Sequence, residues 1–188
     1  CFDLTDVTIP DSVTSIGDSA FYDCYSLASI VIPDSVTSIG DSAFILCKKL
    51  SSVTIPGSVT SIGYGAFYGC MALTSVTIDN GVTSIGVTKF AYCKSLESVT
   101  IGNNVNTIMG QAFNGCEALN TVIMPTSVIE VGASAFAYCP NLQYVRYAGT
   151  KAQWEAINIY DGNECLENAT VVFTPLEPKL EYNILDED

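Results

Sequence analysis

The chain has 188 residues, with 20 Asp plus Glu against seven Lys plus Arg, no His, and a formal charge of −13. So few cations on so acidic a chain exclude neutralisation of a phosphate backbone, and an anionic membrane surface would repel it, so neither nucleic acid nor lipid headgroups are expected partners. Hydrophobic residues make up 48% of the chain, yet no apolar run is long enough to span a bilayer and the N-terminus carries no signal-peptide pattern.

From Leu4 onward the sequence is organised by one repeat. Phe21, Phe44, Phe67, Phe90, Phe113 and Phe136 follow at a constant step of 23 residues. Cys24, Cys47, Cys70, Cys93, Cys116 and Cys139 keep that step, with Cys1 in phase before them, and so do Leu4, Leu27, Leu50, Leu73, Leu96, Leu119 and Leu142. A period of this length with fixed apolar phases predicts a solenoid, in which each coil buries its apolar side against its neighbours. Residues 1–147 therefore read as one domain of seven coils, the first partial. Because Cys1 falls in mid-repeat, the chain is expected to be a mature or excised piece of a longer one.

Within a coil, Leu-x-x-Ile/Val-x-Ile comes first, as at Leu50, Val53 and Ile55, and its β-rich alternation predicts a short strand. Strand starts are expected near Thr5, Ala28, Ser51, Thr74, Glu97, Asn120 and Gln143. Pro10, Pro33, Pro56 and Pro125 close the strand, with Asp79 and Gly102 at the equivalent positions. Gly-x-x-Ala-Phe-x-x-Cys follows, as at Gly40, Ala43, Phe44 and Cys47, with the helical spacing Ala43, Cys47, Leu50. That spacing predicts one short helix or 3-10 turn per coil, with Asp18 and Asp41 placed as N-caps. The expected fold is α/β: a right-handed solenoid with a parallel sheet on its concave face.

The in-phase cysteines argue against a disulfide framework. Coils about 4.8 Å apart hold equivalent Cβ atoms at that separation, whereas a disulfide wants about 3.8 Å. A ladder of buried free thiols is expected instead. Lys89 takes the place of a small Ala, so its ammonium must reach outward or its coil must shift.

The unit SLASIVIPDSVTSIGDSAFILC closely resembles the BspA-like leucine-rich repeat, marked by IP-x-x-V-x-x-I-G-x-x-A-F-x-x-C. The resemblance runs from Cys1 to about Tyr147, with departures at Met109, Lys89 and Tyr147. It implies a bacterial or protist cell-surface or secreted protein engaged in adhesion and protein–protein interaction, extracellular and without catalytic residues.

The repeat breaks after Val145. Thr150-x-x-Gln153 is a capping box and predicts a helix to about Ile157, with Trp154 and Ile157 on one face; Ala169 to Phe173 reads as a last strand. Residues 148–174 are expected to cover the final coil, a segment that also resembles the closing module of the same family, and 175–188 to form an acidic linker or disordered tail. Asn168-Ala169-Thr170 matches a glycosylation triplet by pattern alone.

Catalysis finds no footing: without His there is no Ser-His-Asp or Cys-His arrangement, and buried thiols lacking a base are poor nucleophiles. No cofactor is expected. Stacked carboxylates at Asp11 and Asp34 are weak candidates for Ca²⁺, but the next coil has Gly57 there and the ladder stops. The strand face pointing away from the core is hydroxyl-rich: Asp6, Thr8, Ser52, Thr54, Ser75, Thr77, Ser98 and Thr100, ending in Tyr144 and Arg146. It reads either as a solvated β surface or as a docking surface for an extended protein partner, with Tyr144 and Arg146 as anchors. The alternatives are a carbohydrate-binding module using Tyr22, Tyr68 or Trp154, and an ice-binding Thr array, which Val31 and Ile123 interrupt. Finally, Leu4, Val7 and Ile9 on an uncovered first coil predict end-to-end dimerisation of this fragment.

Overall fold

A computed structural model describes Cys1 and residues 3–174; the expected tail lies outside the described residues. The repeat folds as predicted into stacked coils with parallel pairing throughout. A six-stranded sheet runs in the order Ser52–Ile55, Ser75–Ile78, Ser98–Ile101, Thr121–Met124, Tyr144–Tyr147 and Thr170–Phe173. Its repeat strands pair at the 23-residue step without a slip, as in Ser52 with Ser75 and Ser75 with Ser98. Strands begin one residue later than the sequence suggested. The first two coils contribute only an isolated bridge between Thr8 and Val31, and the strand from Thr170 supplies the last member.

The second apolar pair of each coil forms a narrower ladder of two-residue strands. It is split into Ser15–Ile16, Ser38–Ile39 and Ser61–Ile62 on one side, and Ser84–Ile85, Thr107–Ile108, Glu130–Val131 and Asn158–Ile159 on the other. The split coincides with Lys89. Elsewhere the glycine opening the turn approaches the previous coil so closely that a Cβ on Gly63 would lie 2.2 Å from the Asp41 nitrogen. At Gly86 the nearest atoms are instead those of the Lys89 side chain, which fills the space between coils. Lys89 is 7% exposed, so it does not reach outward as one expectation had it; the coil shifts instead, and the ammonium donates to the Gly63 carbonyl. Burial lowers its pKa, and the Asp41 carboxylate opposes that shift. Lys89→Ala restores the residue type of the other coils and removes a buried charge. It should stabilise the chain by about 1–2 kcal/mol, read from denaturant unfolding; a loss would mean that the open ladder is set by something other than the lysine.

The expected helix or 3-10 turn does not form among the described residues of any repeat. Each coil instead runs through consecutive turns whose N–H groups alternate in use. In the first, Ala20, Tyr22 and Cys24 donate three residues back within the coil, while Ser19, Phe21 and Asp23 donate across to the carbonyls of Asp41, Ala43 and Ile45. A helix would keep all of these bonds internal. Turning alternate groups outward requires the left-handed region twice per coil: Ser19, Ser42, Gly65, Thr88, Gln111 and Ser134 have φ of 55–59°, and Asp23, Leu46, Gly69, Tyr92, Gly115 and Tyr138 have φ of 56–72°. The carboxylates expected to cap helices serve this ladder. Asp18 Oδ1 accepts the Asp41 N–H at 2.8 Å, and Asp41 Oδ1 accepts that of Tyr64 at 2.6 Å, one coil away.

The core is a set of columns. Phe44, Phe67, Phe90, Phe113 and Phe136 are fully buried, and the column from Phe21 onward stacks at 5.0–5.5 Å with rings within 15° of parallel. All eight cysteines are free, and Cys24 through Cys139 of the ladder are buried. The thiols of Cys47, Cys70, Cys93, Cys116 and Cys139 donate to Phe carbonyls 26 residues back at 3.1–3.2 Å, which gives these five buried S–H groups a partner. Burial is not uniform along the stack: Leu4, Val7, Ile9, Val13, Phe21 and Ile62 are half-buried, and Cys1 is exposed.

After the last repeat the chain continues both ladders. The capping box at Thr150 and Gln153 forms in both directions and opens the helix Lys151–Glu155, two residues shorter than expected. Trp154 packs edge-on against Tyr147 at 5.4 Å. A second helix, Glu164–Glu167, was not foreseen. Just before it, buried Asn163 accepts the Phe136 N–H at 3.0 Å and donates to the carbonyls of Gly132 and Tyr160 at 3.0 and 2.7 Å. Its amide thus substitutes for the backbone carbonyl that a further repeat would offer Phe136.

Candidate functional site

The period-2 alternation of the strands puts Val and Ile inward and their neighbours outward, and the unbroken register turns those outward residues into two rows across the six-stranded sheet. One row contains Ser52, Ser75, Ser98, Thr121, Tyr144 and Thr170; the other contains Thr54, Thr77, Thr100, Ile123, Arg146 and Val172. The structure therefore brings eight of the ten proposed partner-binding residues onto one face. Ser52, Ser75 and Thr54 are exposed, and Thr77, Ser98 and Thr100 are half-buried. Asp6 and Thr8 are exposed on the first coil, which joins this face only through the Thr8 bridge.

The character of the face changes along its length. Its hydroxyl stretch ends at an exposed group of larger side chains: Ile123 at 39%, Tyr144 at 43% and Val172 at 40% exposure, with Arg146 exposed between Ile123 and Val172. Val172 was missed in the sequence because it stands 26 residues after Arg146, outside the repeat step; only strand pairing places it there. Two shallow depressions flank this part of the sheet, one of about 510 Å³ against Ser98 and Thr121 and one of about 230 Å³ against Thr100 and Ile123.

The other candidates are placed differently. Asp11 and Asp34 are exposed, and no group of three metal-ligating side chains occurs among the described residues. Of the proposed sugar platforms, Tyr22 is 49% exposed, while Tyr68 is half-buried against Tyr92 with ring centroids 5.3 Å apart, and Trp154 is engaged by Tyr147.

Six copies of the BspA type leucine-rich repeat region match the chain over residues 1–93 and 83–170. The chain belongs to this family. A leucine-rich repeat protein from Bacteroides ovatus is similar to it at 28% identity over 93% of this chain and 50% of its own, with a TM-score of 0.67, and shares the fold. A leucine rich cell surface protein from Faecalibacterium prausnitzii is 26% identical over 84% of this chain and 63% of its own, at a TM-score of 0.42. A T. pallidum leucine-rich repeat protein is 28% identical over 71% of this chain and 52% of its own, also at 0.42. This BspA-type chain thus spans between half and two thirds of these relatives' lengths. No curated protein matches it. Among its described residues no helix is long and apolar enough to cross a membrane.

Proposed function

We propose that this BspA-type chain is a protein-interaction module that works at a cell surface or outside the cell, without catalysis, and docks its partner on the outer face of the six-stranded sheet. One observation carries the reading: the register places small hydroxyl rows and the exposed group Ile123, Tyr144, Arg146 and Val172 on one continuous face. Tyr and Arg are the residue types that anchor protein interfaces, while short Ser and Thr side chains let a partner approach the sheet. The carbohydrate reading has less support, because Tyr68 and Trp154 spend their rings on neighbours inside the chain.

Parallel arrays of extracellular proteins and of glycans test the proposal. The intact chain is expected to bind protein spots, and the variant Thr77→Glu, Thr100→Glu, Arg146→Glu to bind them at least 10-fold less, as expected when one anchor is reversed in charge and two carboxylates are added to the face. Binding confined to glycans, or protein binding indifferent to the three substitutions, would overturn it.

A further inference from the structure

Arg146 is the only Arg in a chain of net charge −13. Four of the six Lys are engaged: Lys94 pairs with Glu117 at 2.8 Å, Lys151 with Glu155 at 3.5 Å, Lys89 bonds to the Gly63 carbonyl, and Lys48 lies over the Tyr25 ring at 4.5 Å. Among the described residues no carboxylate pairs with Arg146. Strand pairing sets it directly between Ile123 and Val172, both exposed aliphatics, with Tyr144 two residues before it on the same face. A guanidinium presents a rigid fork that matches a carboxylate in two parallel bonds, and apolar neighbours that exclude water strengthen such a pair. Neighbouring strands lie about 4.8 Å apart, so the two aliphatics flank the guanidinium at a distance that side chains of one bound segment can span.

We propose that the partner docks here through an extended protein segment carrying an Asp or Glu side chain between apolar residues. The carboxylate pairs with Arg146, and the flanking apolar groups cover Ile123 and Val172. The depressions on either side of the sheet give the ends of such a segment room to leave the face. This deepens the reading of the sheet as the docking surface and rests on it. An anionic glycan would satisfy Arg146 but leave the two exposed aliphatics without apolar cover, so the protein segment is favoured.

The test is methyl and arginine side-chain NMR of the whole chain, titrated with a peptide library of the form apolar-Glu-apolar and its Gln and Lys counterparts, and separately with oligogalacturonate. Glu peptides are expected to move the Ile123, Val172 and Arg146 signals together, and the Gln counterparts to bind at least 10-fold more weakly. Arg146→Lys should weaken Glu-peptide binding by a similar factor, since a point charge cannot make the paired bonds, while leaving the unfolding midpoint unchanged. Shifts confined to the Thr54 and Thr77 methyls would overturn this inference but leave the docking face standing. Shifts away from the sheet would overturn both. Equal binding of Glu and Gln peptides, oligogalacturonate moving the same three signals as strongly, or no binding at millimolar peptide would each overturn the carboxylate assignment.

Discussion

Between pH 9 and pH 10 the folded chain is expected to lose about 2 kcal/mol of stability or more. The cause is the thiol column. Burial pushes Cys47 and Cys139 up to about 12 and holds Cys70 and Cys116 well above 9. In the unfolded chain these thiols ionise near their ordinary value of 9, while in the folded chain they keep their protons. Above pH 9 the unfolded state therefore binds fewer protons, and stability falls as pH rises until the folded thiols themselves ionise. Below pH 9 their contribution is complete. Cys47 and Cys139 account for roughly 1 kcal/mol each over that unit of pH, and Cys70 and Cys116 add a loss of the same sign. Lys89 works in the opposite direction, because its lowered pKa makes stability rise with pH up to 10.5, but it is one group against four. Urea unfolding in oxygen-free, reducing buffer at pH 8, 9 and 10 measures the effect. Cys70→Ala combined with Cys116→Ala should reduce the slope between pH 9 and 10, whatever it costs at pH 8. An unchanged slope in that variant would place the alkaline sensitivity outside the thiols.

The columns were legible because a fixed phase leaves little freedom: a Phe at every 23rd residue can only stack on the next. The turn segment was misread for a physical reason. Ala43, Cys47 and Leu50 have helical spacing, yet successive turns with two left-handed residues also bring those side chains to the core. Ser42 and Leu46 hide the left-handed positions, whereas Gly65 and Gly69 show them one coil later, and that recurrence was the available signal. The role of Asp18 and Asp41 followed from the same error, since a carboxylate before a turn accepts N–H groups in either geometry. Asn163 and Val172 were out of reach: they lie beyond the repeat, where neither residue has a phase to compare. On the candidate face, Tyr144 and Arg146 could be read from alternation, but the apolar neighbours that give Arg146 its setting depend partly on the strand read at Ala169 to Phe173, whose register no repeat step announces.

Phe67→Ala should cost about 3–5 kcal/mol, and Phe21→Ala about half as much or less. Phe67 is fully buried between Phe44, at 5.0 Å and 7°, and Phe90, at 5.3 Å and 9°. Truncation removes the transfer energy of a whole ring, opens a cavity, and breaks two stacked contacts worth about 0.5–1.5 kcal/mol each. The cavity cannot easily collapse. Backbone bonds from Phe44 to Ala66 at 2.7 Å and from Phe67 to Lys89 at 3.0 Å fix the coil spacing on both sides of the lost ring. Phe21 is half-buried and, among the described residues, stacks on Phe44 alone at 5.1 Å, so it has less buried surface to lose. Paired unfolding measurements at one pH read the difference between the two variants, which cancels much of the uncertainty in the unfolded state. A Phe67→Ala loss below 1 kcal/mol, or equal losses at the two positions, would show that the ladders hold the coils together and that the ring column merely fills the space they leave.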